Sequence, residues 1–164
     1  MAYLLDSNVL ITAKRIHYGF DFCPGFWNWI KVQHAAGAVF SVEKVLEELR
    51  SQQDDLADWV NALPSSFFLK PDAATAPHYA GVTNWVTNQD YHRSALNEFL
   101  RTADYHLVAQ ALQGQHHVVT YEVPGRSPRR VKIPDACLGL GLTSLLPHEL
   151  LRRQRASFVL GEAR

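Results

Sequence analysis

Five acidic side chains stand where a fold can use them for chemistry. Asp6 closes the apolar run Tyr3-Leu4-Leu5 and is followed at once by Ser7-Asn8-Val9-Leu10-Ile11, a buried strand passing straight into a helix. Ligands bind at strand tips in open parallel α/β sheets, and a charge set among apolar residues needs a partner. Glu48 lies in Val45-Leu46-Glu47-Glu48-Leu49, Asp104 in Thr102-Ala103-Asp104-Tyr105-His106-Leu107, Glu122 just after Val118-Val119-Thr120, and Asp135 in Lys132-Ile133-Pro134-Asp135. Strand tips and helix N-termini of a parallel sheet gather on one edge, so acids distant in sequence can meet there. Carboxylates that meet repel each other and otherwise take up protons. Mg²⁺ or Mn²⁺ relieves the repulsion, prefers oxygen ligands and keeps waters. One such water can become the attacking hydroxide of phosphodiester hydrolysis, with no serine or cysteine nucleophile. Taken singly, Glu48 reads as a solvated helix residue and Asp135 as an ordinary turn residue. Asp104 is favourable in any first helical turn. Asp6 is the acid whose position alone favours a chemical role.

The elements that must position these acids follow from pattern. Residues 2–6 read as a strand and 7–17 as a helix capped by Ser7. Tyr18 to Gly25 is a loop, and Phe26, Trp27, Trp29, Ile30 and Ala35 mark an amphipathic helix ending near Gly37. Ala38-Val39-Phe40 is a short strand, with Ser41 expected to cap the helix carrying Val42, Val45, Leu46 and Leu49. Leu56 to Leu63 continues the helical pattern until Pro64, and Phe67-Phe68-Leu69 is a short strand or turn. The stretch from Asp72 to Leu100 reads as helical without clear division. Thr102 is expected to cap a helix over 103–112. Residues 118–120 form a strand, a loop rich in proline and arginine runs to Pro134, 135–142 is a short helix or turn, 144–146 a last strand, and Pro147 opens the terminal helix. Alternating short strands and helices imply a single α/β domain over 1–164, a sandwich around a central parallel sheet flanked by helices, with 155–164 as a flexible tail.

Composition excludes more than it selects. A chain of 164 residues, 47% of them hydrophobic, is long and apolar enough for one full core and is not largely disordered. Sixteen basic and sixteen acidic residues leave the formal charge at zero, so overall charge names no partner. Its distribution says more: Arg126, Arg129, Arg130 and Lys132 crowd the loop between two candidate ligands, which reads equally as a clamp for RNA phosphates beside a metal or as a solvated loop, and Arg152, Arg153, Arg155 and Arg164 crowd the C-terminal end. The 2 cysteines, Cys23 and Cys137, lie far apart and match neither a disulfide framework nor a zinc spacing, which points to free thiols in a cytoplasmic protein. Adjacent His116 and His117 face opposite sides of a strand and are poor joint ligands. His106, two residues after Asp104, is expected to point elsewhere on its helix. Among Trp27, Trp29, Trp59 and Trp85, core packing is expected for at least two, with base stacking the alternative.

The run Leu4-Leu5-Asp6-Ser7-Asn8-Val9-Leu10-Ile11 resembles the opening motif of PIN-domain ribonucleases, including VapC-type toxins. Glu48 before Leu49, the helix Ala103-Asp104-Tyr105-His106-Leu107-Val108-Ala109 and the Val119-Thr120 strand fall in that family's order. The segment Phe20 to Ile30 and Lys132-Ile133-Pro134-Asp135 resemble an uncharacterised PIN-like subfamily. The resemblance implies a PIN-like three-layer sandwich and a Mg²⁺- or Mn²⁺-dependent endoribonuclease, the toxin of a toxin–antitoxin pair. It implies Asp6, Glu48 and Asp104 as metal ligands, Asn8 and Thr120 as supporting hydrogen-bonding residues, an antitoxin protein partner, and a homodimer as in many such proteins. The chain departs at the fourth acid, where the family has Asp two residues after the strand Thr or Ser. Here Glu122 stands in that place, and Glu122 and Asp135 are both candidates for the role. Two other readings stand beside it: a phosphatase or receiver-like protein using Asp6, which would want a second Asp where Asn8 stands, and a non-catalytic PIN-like binding module.

Overall fold

Adjacent residues of a strand point to opposite faces of its sheet. Leu4 and Leu5 are both at most 1% exposed and Val118 and Val119 are fully buried, so the strands that carry them are covered on both faces. That is the signature of a parallel sheet between two helical layers. A computed structural model describes residues 1–161 and has this architecture. In chain order it runs β1 (Tyr3–Leu5), α1 (Ser7–Thr12), α2 (Pro24–Ala35), β2 (Val39–Val42), α3 (Glu43–Ser51), α4 (Asp55–Asn61), β3 (Phe68–Leu69), α5 (Ala76–Thr87), α6 (Arg93–Arg101), α7 (Ala103–Gly114), β4 (His117–Val119), α8 (Ile133–Gly139), β5 (Ser144–Leu145) and α9 (Pro147–Arg153). The strand order is β3-β2-β1-β4-β5 and every pairing is parallel. The chain thus steps outward from β1 through β2 and β3, then returns to the other side of β1 for β4 and β5. The point of reversal lies between β1 and β4, and the crevice beyond their carboxyl ends is where such sheets bind ligands.

Several local expectations are corrected. Ser7 is the first residue of α1, and the N-cap is Asp6, which makes no side-chain capping bond. Ser41 belongs to β2, where its hydroxyl donates to the carbonyl of Leu5 at 2.6 Å and ties the ends of β1 and β2 together. The first helix does not run evenly to residue 17: it widens into a π-helical turn over Ala13–His17. The undivided stretch 72–100 is two helices, α5 and α6, preceded by a short turn that Asp72 and Thr75 cap reciprocally. Thr102 does occupy the N-cap of α7, but its hydroxyl donates backward to the carbonyl of Phe99 rather than to the new helix.

Trp27 is 2% exposed, donates its indole N–H to the carbonyl of Tyr18 and stacks edge-on against Trp59, with ring centroids 4.8 Å apart. Trp29, Trp59 and Trp85 are half-buried against the same core, so packing accounts for most of the tryptophan surface. His116 accepts from the backbone N–H of Ala2, and the ring of His117 lies against Tyr3, both structural contacts. Both cysteines are free thiols, and burial pushes the Cys137 thiol up to about 12, which makes it unreactive. Of the expected flexible tail, residues 156–161 are irregular, yet Phe158 packs beside Phe26 and Trp29. Residues 162–164, Arg164 among them, lie outside the described residues. Among those described, no helix is long and apolar enough to cross a membrane.

Candidate functional site

The sheet determines which side chains can meet at the reversal point. Asp6 follows β1 and Thr120 follows β4, and the strands are neighbours, with Leu5 in register with Val119. The Asp6 N–H donates to the carbonyl of Val119, which continues the ladder one step past the strand ends. The Thr120 hydroxyl donates to Asp6 Oδ2 at 2.8 Å, and accepts from Asn8 Nδ2 at 3.2 Å and from the Glu122 N–H at 3.1 Å. A hydroxyl has one proton to give and two lone pairs to fill, so Thr120 is saturated by these three bonds. Asn8 in turn accepts the Tyr121 N–H through Oδ1. An Asp at an N-cap ordinarily caps its helix. Asp6 forgoes that bond and is instead gripped from behind by Thr120, a placement that helix stability alone does not explain.

A cavity of about 640 Å³ opens at this edge. Asp6, Glu48, Asp104 and Glu122 all line it, brought from four different segments. The N-terminus of α7, the helix that leads into β4, delivers Asp104, and α3, which follows β2, delivers Glu48. Six carboxylates in all, with Glu47 and Glu98, face three cationic side chains, Lys44, Arg101 and Arg130. The electrostatics record the crowding. Burial, with smaller contributions from Glu122 and Glu48, raises the Asp6 carboxyl to about 6 against the opposing hydrogen bond from Thr120. Burial, then Asp6, Glu122 and Glu48, raises Asp104 to about 7, with Arg130 opposing.

The other expected site residues fall out unevenly. Glu122 lines the cavity, but both its oxygens have protein donors: Oε1 accepts from Arg130 Nη2 at 2.7 Å and Oε2 from the Ile133 N–H at 2.8 Å. It is a latch that closes the 122–133 loop onto α8. Asp135 is not in the cavity. Its Oδ2 accepts the N–H of Gly125, and its side chain lines a separate cavity, because α8 begins at Ile133 and turns Asp135 away from the sheet edge. Of the four basic loop residues only Arg130 reaches the acidic cavity. Arg126 lines the other one with Asp135, and Arg129 and Lys132 line neither. His106 does not point elsewhere: it lines the acidic cavity, with Nδ1 2.6 Å from the Tyr79 hydroxyl. Burial and then Lys44 hold its imidazole below the ordinary value.

Sequence reasoning missed Lys44, Glu98, Arg101 and His106. Lys44 carried a signal, since it stands four residues before Glu48 and so shares its helix face. Glu98 and Arg101 were legible only once α6 was resolved from its neighbour.

The donor chemistry fits a hard divalent cation: carboxylate oxygens only, two of them held above the normal carboxylate range with like charges as neighbours. Among the described residues, however, no three His, Cys, Asp or Glu side chains stand close enough to hold an ion as placed. Glu48 is exposed on α3 and Glu122 is engaged by its two donors, so the acids share a cavity without forming a closed cage.

Replacing Thr120 by Val is a direct test of the grip on Asp6. It strips the hydroxyl from the buried Asp6 and from two half-buried partners, Asn8 and the Glu122 N–H, at about 1–3 kcal/mol for an orphaned buried group. The expected result is a lower melting temperature, a further rise of the Asp6 pKa read by carbon-detected NMR titration, and a functional loss of roughly 10–100-fold, as outer partners of metal sites usually cost. An unchanged Asp6 titration would mean that Thr120 does not set the state of that carboxylate.

Fold and site together define an α/β protein of three layers with an acidic cleft at the reversal point of a five-stranded parallel sheet. The sequence profile of one family, described as domain of unknown function DUF4411, matches residues 3–158, and the chain belongs to that family. Neither curated proteins nor solved structures gave a match.

Proposed function

We propose that this chain is a Mg²⁺- or Mn²⁺-dependent endoribonuclease that hydrolyses single-stranded RNA, as its resemblance to PIN-domain ribonucleases implies. The observation that carries the reading is the meeting of Asp6, Glu48, Asp104 and Glu122 around one cavity, where burial and neighbouring carboxylates raise both Asp6 and Asp104, with Asp6 among the charges acting on Asp104. Asp6, Glu48 and Asp104 would hold the ion, with Glu122 at the margin. A divalent ion bound there supplies an acidified water and a counter-charge for the phosphate. The chain's own residues do the rest. Thr120 and Asn8 fix the angle of Asp6. Lys44, Arg101 and Arg130 ring an otherwise acidic cleft and meet the phosphates that approach it. Arg130 is shared between Glu122 and the cavity, so engaging a phosphate is coupled to the latch of the loop.

Within this reading the protein is the toxin of a toxin–antitoxin pair in the cytoplasm, and its antitoxin covers the acidic cleft with a basic side chain.

The test is cleavage of an end-labelled single-stranded RNA by the purified protein in Mg²⁺ or Mn²⁺, with EDTA as control and p-nitrophenyl phosphate as the competing substrate. Metal-dependent internal cleavage is expected, with growth arrest on expression. RNA binding in Ca²⁺ should weaken with salt by roughly 0.7 log units per log salt for each phosphate contact. Hydrolysis of the phosphomonoester with no RNA cleavage would favour the phosphatase reading. No metal binding and no turnover would leave a binding module.

A further inference from the structure

A second cavity, of about 510 Å³, lies along the same 122–133 loop, within the size range of small-ligand sites. One wall is Trp85 at the end of α5 with Asp90 and Tyr91 in the connection to α6, and the other is Arg126 with Asp135 of α8. The His92 N–H donates to the carbonyl of Pro128 at 2.8 Å and ties the walls to each other, and within the second wall the Gly125 N–H donates to Asp135 Oδ2 at 3.1 Å. Trp85 is seated by a missing side chain, because a Cβ on Gly139 would collide with the indole nitrogen. The Tyr91 ring stands 6.3 Å from it at an interplanar angle of 61°, so the cavity presents two aromatic surfaces. Arg126, a non-glycine residue, sits at φ +49°, in the left-handed region. Holding it there costs on the order of 1 kcal/mol.

Each element of this cavity matches one part of a nucleotide. Aromatic faces stack on a base whatever its identity. Carboxylates accept from exocyclic amino groups, as they do from the amine of cytosine. An arginine takes the phosphate. Uracil has no exocyclic amine, and its two carbonyl oxygens would face the carboxylates of Asp90 and Asp135. The five residues from Arg126 to Arg130 carry the loop from this cavity to the acidic one.

We propose that this second cavity binds one amino-bearing nucleobase (adenine, cytosine or guanine) of the RNA strand that is cut, with Tyr91 stacking on it and Trp85 meeting its edge, Asp90 and Asp135 accepting from its amine and Arg126 on its phosphate. The inference rests on the ribonuclease reading and adds a substrate preference to it: cleavage falls at a fixed offset from a non-uracil base.

The test uses the full-length protein and oligouridine strands with a single A, C, G or U at each position. Binding is read in Ca²⁺ and cleavage in Mg²⁺. The singly substituted strands should bind more tightly than oligouridine and be cut at a constant offset from the substitution. Tyr91→Ala should weaken their binding roughly 5- to 150-fold, the range for one lost base stack, and abolish the offset. Tyr91→Phe, which keeps the ring, should retain both and serves if the alanine variant does not fold. Asp90→Asn should narrow the preference among bases. Equal binding of all strands, or a preference that survives Tyr91→Ala, overturns the proposal and leaves the ribonuclease reading intact. If the protein cuts no RNA, adenosine monophosphate titrated against the Trp85 indole NMR resonance still reads the cavity. Binding lost in Tyr91→Ala supports the nucleotide site, and no binding, or displacement only by an arginine-rich peptide, overturns it.

Discussion

Asp6→Asn and Asp104→Asn are each expected to abolish Mn²⁺ binding and RNA cleavage and to stabilise the metal-free protein. The two effects have one cause. Asp6 is buried and Asp104 half-buried, both near Glu48 and Glu122, and they titrate at about 6 and about 7 instead of 3.8. Between roughly pH 4 and pH 7 the folded chain therefore holds more protons than the unfolded chain, and linkage makes stability fall as pH rises across that window. The stabilising contribution is fully present below the unfolded value and lost once pH has passed the folded values. At about 1.4 kcal/mol per pK unit, the two acids together amount to a few kcal/mol, less for the half-buried Asp104. Asparagine carries no charge, so each variant should flatten the decline and melt no lower than the parent at pH 8. Mn²⁺ should do for the parent what the substitution does for the variant: at 100 times its Kd it adds about 2.7 kcal/mol. The measurement is a set of melts from pH 4 to 8, with EDTA and with Mn²⁺, beside calorimetric titration of the metal. A parent whose stability rises from pH 4 to 7 in EDTA, or full nuclease activity in either variant, removes the assignment.

The second large effect separates Glu122 from Asp135. Glu122→Ala deletes the acceptor of Arg130 and of the Ile133 N–H and releases the 122–133 loop from α8. Bonds to a charged group contribute about 1.5–3 kcal/mol. The Arg130 side chain is 63% exposed, so most of that comes from the buried Ile133 contact. Glu122→Ala should thus lower the melting temperature, cut cleavage by at least the 10–100-fold of an outer-shell loss, and free Arg130 from its fixed place. Glu122→Gln keeps an acceptor for Ile133 and should recover much of the stability but not the ion pair. Asp135→Asn, which lies in the other cavity and keeps an acceptor for Gly125, should leave the turnover of oligouridine unchanged. Equal losses in Asp135→Asn and Glu122→Ala would bring Asp135 back to the reacting centre.

How much of this was written in the chain differs by residue. The buried run at 3–5, the helix after it, the strand at 118–119 and the helix over 103–112 follow from local pattern, and from them follows a parallel sheet with Asp6 on its edge. Local pattern failed where a side chain bonds to something remote. Ser41 looks like a cap in sequence, and the acceptor it uses is the Leu5 carbonyl, 36 residues away. Asp6 looks unable to cap and act at once, and Thr120, 114 residues on, resolves the choice.

Outside residues 67–100, the sequence by itself determined the order of elements, and with it the covered parallel sheet and the list of acids that a sheet edge could gather, because these depend on short-range periodicity and on which residues a strand end carries. Only the tertiary structure decided which acids meet. The reversal of strand order puts β1 beside β4, so Asp6 and Glu122 share a cleft with Asp104 and Glu48. The start of α8 at Ile133 takes Asp135 to a different cavity, and the latch formed by Glu122 with Arg130 and Ile133 sets the loop between the two. Those are matters of topology and of hydrogen bonds between distant residues, which no window along the chain contains.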